Sequence, residues 1–234
     1  MTNITLHFAP GTCARVPMTA LEEIGLPYKT ELVAFVRGDH RSLGYLALNP
    51  KGKVPVLCVD RRVLTENVAI LSWLANAFPD GELLPKHSDP LDYAEIISDL
   101  AFCASLLHPI VTRLRIPHYF CDLEEGIARV FAMAEQAMRP NFALVDQRLS
   151  VNKWWYGDRW SIMDAYINWV WFRVAGTAFD VSPYCYFARH DEASQQRPAV
   201  ERALRRDAEA AKWLADRGLE VKFSGSDAVR APAL

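Results

Sequence analysis

Cys13 is the residue whose type and position most clearly suggest chemistry. It stands in the stretch PGTCARVP, between the end of an alternating strand pattern and the start of a helical one. The N–H groups at a helix start lack intrahelical partners, and the helix dipole favours negative charge there. A thiol at that point would be stabilised as the nucleophilic thiolate, and Arg15 would add to the effect. The alternative is that Cys13 packs as a small buried hydrophobic residue.

A second group of polar residues lies in the segments NPKGKVPVL and TEN. Pro55 falls inside an apolar strand pattern, where the missing N–H indicates an edge strand or a bulge. Glu66 would meet an ammonium group, and the helix start at Asn67 would meet a carboxylate. One interpretation is therefore a site for a zwitterionic ligand. The other is a solvated turn at Lys51 and Lys53, followed by an acid that favours a helix start.

Two kinds of pattern must position these residues. Up to about residue 80 the order is β-α-β, a polar connection and then β-β-α, whereas every pattern from Asp89 onward is helical. We therefore predict an α/β domain followed by an all-helical one. The predicted boundaries are 1–80 for the first domain, 81–88 for a linker, 89–218 for the helical domain and 219–234 for a C-terminal tail.

Within the helical part, apolar spacing predicts one long helix over 90–116. Pro109 removes one of its backbone hydrogen bonds and predicts a kink. Ser161 and Asp164 form an S-x-x-D capping signature before an apolar helix, which predicts the buried centre of this domain.

Composition restricts the class of protein. The chain has 234 residues, 51% of them hydrophobic and 23% charged, with a formal net charge of −2. This balance gives no basic footprint for nucleic acid. The N-terminus lacks the pattern of a secretory signal, and no apolar run reaches the roughly 18 residues of a membrane span. The five cysteines are scattered and contain no CxxC pair, which argues against a disulfide framework or a metal site. We expect a cytoplasmic protein without metal, nucleic acid or membrane.

The order of these motifs resembles a known family. The strand–PGTC–helix unit, NPKGKVPVL and LTENVAILSWLA resemble the N-terminal domain of the glutathione S-transferases, and PGTC is similar to their bacterial beta type. WSIMDAY at 160–166 is similar to the capping box of that family's buried C-terminal helix. The resemblance runs from about residue 4 to 215. It implies a thioredoxin-like β-α-β-β-β-α domain followed by an all-α C-terminal helical bundle.

The resemblance also assigns residues to glutathione. The implied binding residues are Lys53, Val54, Pro55, Glu66, Asn67 and, with a weaker match, His40. Pro55 would be a cis-proline that turns the backbone polar groups of Val54 toward the cysteinyl unit. Glu66 and Asn67 would hold the γ-glutamyl end, and His40 would meet the glycyl carboxylate. Asn67 stands where the family often has serine.

Catalysis and the second substrate follow from the same resemblance. Cys13 aligns with the cysteine of the beta type, and Thr12 is the second choice, as a hydroxyl that hydrogen-bonds the thiolate of glutathione. A small hydrophobic electrophile would bind in the cleft between the domains, with Arg15, His108 and Arg113 as candidate lining residues. His108 and Arg113 also fit packed or solvated positions.

The predicted activity is that of a homodimeric glutathione transferase that acts in detoxification. Thiol–disulfide exchange through Cys13 is a variant of this reaction. The alternative is a non-catalytic protein that binds glutathione or a partner on the same scaffold.

Overall fold

The computed structural model describes residues 2–221, which form two compact units. The chain up to Lys86 and the segment from Gln195 onward make the first unit, and His87–Ser194 make the second. The last helix thus belongs with the N-terminal unit, although the sequence assigned it to the helical domain. The predicted boundaries at residues 80, 89 and 218 remain predictions. Most of the predicted tail, from residue 222 onward, lies outside the described residues.

The elements are named in chain order. They are β1 (Ile4–Phe8), α1 (Arg15–Ile24), β2 (Lys29–Leu32), α2 (Leu43–Leu48), β3 (Val56–Val59), β4 (Arg62–Thr65), α3 (Asn67–Ala77), α4 (Pro90–Ala101), α5 (His108–Arg115), α6 (Glu124–Val151), α7 (Ile162–Ala175), α8 (Cys185–Gln195) and α9 (Pro198–Ala215).

A four-stranded mixed sheet organises the first unit, in the order β2-β1-β3-β4. β1 pairs parallel with β2 and antiparallel with β3, so that Leu6 lies opposite both Thr30 and Leu57. Alternate residues Ile4, Leu6 and Phe8 are buried, as the period-two pattern predicts. The predicted thioredoxin-like order of strands and helices is confirmed.

A short helix, α2, interrupts the connection that the sequence analysis described only as polar. Ser42 caps it by accepting a hydrogen bond from the Tyr45 N–H at 3.2 Å. Six residues are fewer than two helical turns, so the segment shows little apolar periodicity. The Tyr45 side chain is nevertheless buried and packs in a small apolar cluster with Val33 and Val56.

The long helix predicted over 90–116 is present as one helical segment, Pro90–Arg115, but its hydrogen-bonding pattern changes in the middle. α4 ends at Ala101, a six-residue π-helical segment spans Phe102–Leu107, and α5 begins at His108. Pro109 lies in the first turn of α5, where the missing N–H is tolerated. The π-helical segment thus lies directly before the position where the proline would break an α-helix.

One helical segment in the described part of the chain, Pro90–Arg115, has the length and composition of a membrane span. Its most apolar window has a mean hydropathy of 1.5. This corrects the expectation that no segment reaches that requirement. Core helices of soluble proteins meet the same criterion, so composition alone is weak evidence for a membrane. The segment buries an apolar side that includes Ile96, Leu100 and Leu107.

α7 is the buried centre of the second unit, as predicted. Ser161 and Asp164 form the capping box at its start. The carboxylate of Asp164 also accepts the Trp155 N–H at 2.7 Å and lies 3.0 Å from Nε2 of His190. The predicted cap is therefore the centre of a larger buried network.

Candidate functional site

The turn before α1 is shaped by Thr12. The carbonyl of Ala9 accepts both the Thr12 N–H at 3.3 Å and the Thr12 hydroxyl at 2.6 Å. The hydroxyl oxygen in turn accepts the Ala14 N–H at 3.4 Å. The single hydroxyl proton is therefore used within the turn. A role for Thr12 as donor to a bound thiolate stays a prediction, and it would require this hydrogen bond to break.

Cys13 lies between that turn and the segment that leads into β3. Its side chain is buried, and Sγ lies 3.8 Å from the carbonyl oxygen of Val54. The Val54–Pro55 peptide bond is cis. Two motifs that are 41 residues apart in sequence therefore meet at one point, at the start of α1.

The segment before Pro55 is organised by two residues that the sequence analysis missed. The carbonyl of Lys53 accepts hydrogen bonds from the Tyr45 hydroxyl and from Nδ2 of Asn49, each at 2.8 Å. Asn49 also accepts the Lys51 N–H at 3.2 Å. Asparagine in an N-P-K-G turn is a recognisable signal for such bonds, whereas the contribution of Tyr45 is long-range. Burial, with a smaller electrostatic contribution from Cys58, raises the pKa of Tyr45 to about 12, so its hydroxyl stays protonated as a donor at neutral pH.

This arrangement leaves the backbone of Val54 available. Across residues 2–221, no protein group accepts a hydrogen bond from the Val54 N–H. Among the described residues its carbonyl meets only the weak thiol donor of Cys13. Pro55 directly precedes β3, an inner strand that pairs with both β1 and β4, so the expectation of an edge strand is wrong; the missing N–H falls just before the ladder. Backbone groups left open in this way can pair with an extended peptide.

Glu66 occupies an unusual backbone conformation at the start of α3. Its φ is 72°, in the region that non-glycine residues seldom adopt, and such positions cluster at functional sites. The ammonium group of Lys51 pairs with the carboxylate of Glu66 and donates to Oγ1 of Thr65 at 3.0 Å. Lys51 is thus a bridge between two segments and not only part of a solvated turn. The carboxylate remains largely exposed, so a cationic group can still reach it.

Asn67 faces the thiol turn. It is buried, and its Nδ2 donates a hydrogen bond to the backbone carbonyl of Cys13 at 3.1 Å. Its Oδ1 is buried and has no hydrogen-bond partner among the described residues. The resemblance implied that Asn67 would hold the γ-glutamyl end. In the structure, the Nδ2 donor of Asn67 is used in the hydrogen bond to the Cys13 carbonyl, whereas the Oδ1 acceptor is open. A contact between this side chain and the ligand would therefore involve Oδ1.

His40 lies beside the loop that precedes Pro55. Its ring packs edge-on against Phe35, with ring centroids 4.9 Å apart. Burial lowers the pKa of His40, and the positive charges of Arg41 and Lys53 lower it further. The imidazole is therefore neutral at pH 7, beside two cations that would attract a carboxylate. Nδ1 is buried and finds no partner within the described chain.

Comparisons with known proteins agree with this geometry. Residues 11–77 match the family model described as "Glutathione S-transferase, N-terminal domain". A relative named glutathione S-transferase GstA from Escherichia coli O157:H7 is 33% identical over 205 residues, which are 85% of this chain and 96% of that protein.

The chain belongs to the glutathione S-transferase family.

Solved structures of other transferases have the same fold. The glutathione S-transferase from Xylella fastidiosa has a TM-score of 0.81 at 28% identity, covering 88% of this chain and 99% of its own. A sphingomonad glutathione S-transferase complexed with glutathione has a TM-score of 0.76 at 30% identity, covering 87% of this chain and 98% of its own. The protein is a transferase enzyme whose family binds glutathione.

Arg15 occupies a different environment from the one predicted. Its guanidinium is buried in the first unit of the transferase, where Nη2 lies 2.6 Å from Oδ2 of Asp207 on α9. Its charge is matched by that carboxylate, so an acceptor-site role for Arg15 remains only a prediction. Asp207 has no signal in the local sequence, because its contact with Arg15 spans 192 residues.

The other two acceptor-site candidates of the transferase lie in the second unit. His108 is half-buried, with its ring edge-on to Trp169 at 4.7 Å between centroids. Arg113 donates to the carbonyl of Pro109 at 3.0 Å and lies 5.2 Å from the ring centroid of Phe120. Both contacts are internal to that unit, and contact with a second substrate stays a prediction for each residue.

Within residues 2–221 of the transferase, no group of three or more His, Cys, Asp or Glu side chains could hold a metal ion.

Proposed function

We propose that this transferase binds glutathione along the backbone of Val54 and activates its thiol beside Cys13 for attack on a small hydrophobic electrophile. The observation that carries the proposal is the 3.8 Å contact between Sγ of Cys13 and the carbonyl of Val54. It brings the start of a helix, where an anion is favoured, to the Val54 backbone before β3 that would pair with the cysteinyl unit.

The charges around this point fit the two ends of glutathione. Glu66 offers an exposed carboxylate to the γ-glutamyl ammonium group, and the start of α3 at Asn67 offers backbone N–H groups to its carboxylate. His40 and Lys53 would meet the glycyl carboxylate at the other end. An extended tripeptide between these groups would place its thiol at the start of α1.

In the proposed conjugation, the glutathione thiol loses its proton to solvent and the thiolate forms a C–S bond with the electrophile. The electron pair of the broken bond leaves with the departing group. The dipole of α1 favours the thiolate over the thiol.

Thiol–disulfide exchange is the second proposed reaction. The Cys13 thiolate attacks a disulfide that contains glutathione, an S–S bond to glutathione forms, and the other thiolate leaves and takes up a proton. A second glutathione thiolate then releases glutathione disulfide and restores Cys13. This step needs a low-molecular-weight disulfide as oxidant.

A mass measurement tests the role of Cys13. After treatment with glutathione disulfide, peptide mapping should find one glutathionyl group on Cys13, and Cys13→Ala should lack it. Cys185→Ala is the control, because Cys185 is exposed and lies in the second unit. If Cys13→Ala conjugates glutathione to an electrophile such as 1-chloro-2,4-dinitrobenzene at the wild-type rate, Cys13 has no role in conjugation.

We also propose a cytoplasmic homodimer that acts in detoxification, as the family resemblance implies. The five scattered cysteines, which lack a disulfide pattern, support a reducing compartment. Sedimentation at micromolar concentration tests the dimer, and a single species at the monomer mass of 26.5 kDa would refute it.

A further inference from the structure

Asp207 of α9 contacts the chain on both sides of Cys13. Its Oδ2 lies 2.6 Å from Nη2 of Arg15, and its two oxygens lie 3.0 and 3.1 Å from the backbone N of Gly11. The Asp207 side chain is only 7% exposed, so water screens these contacts little. A residue near the C-terminal end thus holds the turn that presents the thiol.

Attachment of α9 to α1 does not depend on this carboxylate. Glu22 of α1 accepts hydrogen bonds from Nε of Arg202 at 2.8 Å and from Nε of Arg206 at 2.6 Å. Glu23 pairs with Arg197. These contacts join the C-terminal half of α1 to α9. In the described chain, the ion pair between Arg15 and Asp207 is therefore the one that joins α9 to the start of α1.

The charges at the start of α1 have opposing effects on a thiolate. The helix dipole and the guanidinium of Arg15 both favour negative charge near Cys13. The carboxylate of Asp207 opposes it and offsets Arg15. Of the other charged groups along α1 and α9, Glu22 and Glu23 pair with Arg197, Arg202 and Arg206, and Lys212 pairs with Asp216. Glu201, Arg205 and Glu209 are exposed to solvent.

We propose that Asp207 is a positioning residue that sets the reactivity of the Cys13 thiol. It fixes the turn through the Gly11 N–H, and it limits how strongly Arg15 stabilises the thiolate. This inference rests on the proposed function in one respect only: its relevance to turnover requires that Cys13 takes part.

The test is the pH dependence of Cys13 alkylation by iodoacetamide in the full, unliganded chain, followed by peptide mapping. Asp207→Asn keeps the shape and an acceptor for the Gly11 N–H but removes the charge. We expect the midpoint of alkylation to fall by about one pH unit. Arg15→Met should raise it, and the double variant should return near the wild-type midpoint.

The double variant is also the one expected to fold most readily, because it removes the charges of both Arg15 and Asp207 and leaves neither buried without its partner. If Asp207→Asn alone does not fold, Arg15→Met is compared with the double variant, and the midpoint should be lower in the double variant. Circular dichroism establishes which variants are folded.

Two controls isolate the effect. Asp216→Asn removes an exposed carboxylate near the end of α9 that pairs with Lys212, and it should leave the Cys13 midpoint unchanged. Alkylation of exposed Cys185 in the same samples should not shift. An unchanged Cys13 midpoint in folded Asp207→Asn, or an equal shift at Cys185, overturns the proposal. The measurement needs no glutathione, so its failure is distinct from a failure of the proposed function.

Discussion

The side-chain amide of Asn67 donates a hydrogen bond to the backbone carbonyl of Cys13, at 3.1 Å. This bond joins the first residue of α3 to the turn before α1, and both groups are buried. The residue expected to contact glutathione directly is therefore also a support for the residue expected to carry the thiol.

Asn67→Ala should remove that support. We expect the free energy of unfolding to fall by about 1 kcal/mol, because the Cys13 carbonyl loses one of its donors. Affinity for glutathione should fall as well. Urea unfolding and calorimetric titration measure the two effects. Asn76→Ala is the control, since Asn76 lies on the same helix but is exposed. Equal losses of affinity in the two variants would contradict the role of Asn67.

Glu66→Gly should separate stability from binding. Glycine adopts the φ of 72° without steric cost, so the variant should be as stable as the wild type or more stable by up to about 1 kcal/mol. Loss of the carboxylate should weaken glutathione binding by about tenfold. Glu82→Gly, at a φ of 44°, is the matched control and should affect stability only. Wild-type affinity in Glu66→Gly would exclude Glu66 from the site.

Glu22 should make stability depend on pH. Burial alone would raise the pKa of Glu22, but hydrogen bonds from Tyr28, Arg202 and Arg206 outweigh burial and lower that pKa below 4.5. The contribution of Glu22 to stability is therefore complete above about pH 4.5 and is lost as the pH falls through the lower, folded value. Glu22→Gln should show a smaller decrease in unfolding free energy between about pH 6 and pH 3. An identical pH profile for the variant would contradict this assignment.

Asp164 should be essential to the helical unit. Its carboxylate is fully buried and receives N–H groups of Trp155 and Ser161 as well as the His190 ring. Asp164→Ala leaves these groups without their partner and should cost about 3–5 kcal/mol. Asp89→Ala removes an exposed helix cap and should cost about 1 kcal/mol. Thermal unfolding compares the two variants. Similar losses of stability would show that Asp164 acts only as a helix cap.

Much of this organisation is visible in local sequence. The alternation of Ile4, Leu6 and Phe8 predicts a strand, and the capping signature of Ser161 and Asp164 predicts the start of α7, because both depend on neighbours a few residues apart. Pro55 marked an interruption of the strand pattern, but only the structure shows that it precedes the inner strand β3 and not an edge strand.

Other features depend on contacts between residues far apart in the chain and are only weakly indicated by the local sequence. α2 has only six residues, and its burial depends on Tyr45 packing with Val33 and Val56. The π-helical segment Phe102–Leu107 changes the hydrogen-bonding pattern of a helix whose apolar spacing continues through it.

Local sequence was enough to predict most strands and helices, the thiol at a helix start and the order of motifs that resembles glutathione transferases. The bonding partners of the side chains became visible only in the folded chain. Folding placed the Asn67 amide on Cys13 and the Arg15 charge on Asp207. Periodicity and capping act over a few residues and can be read along the chain. Hydrogen bonds and ion pairs between residues 54 and 192 positions apart exist only once folding has brought the segments together.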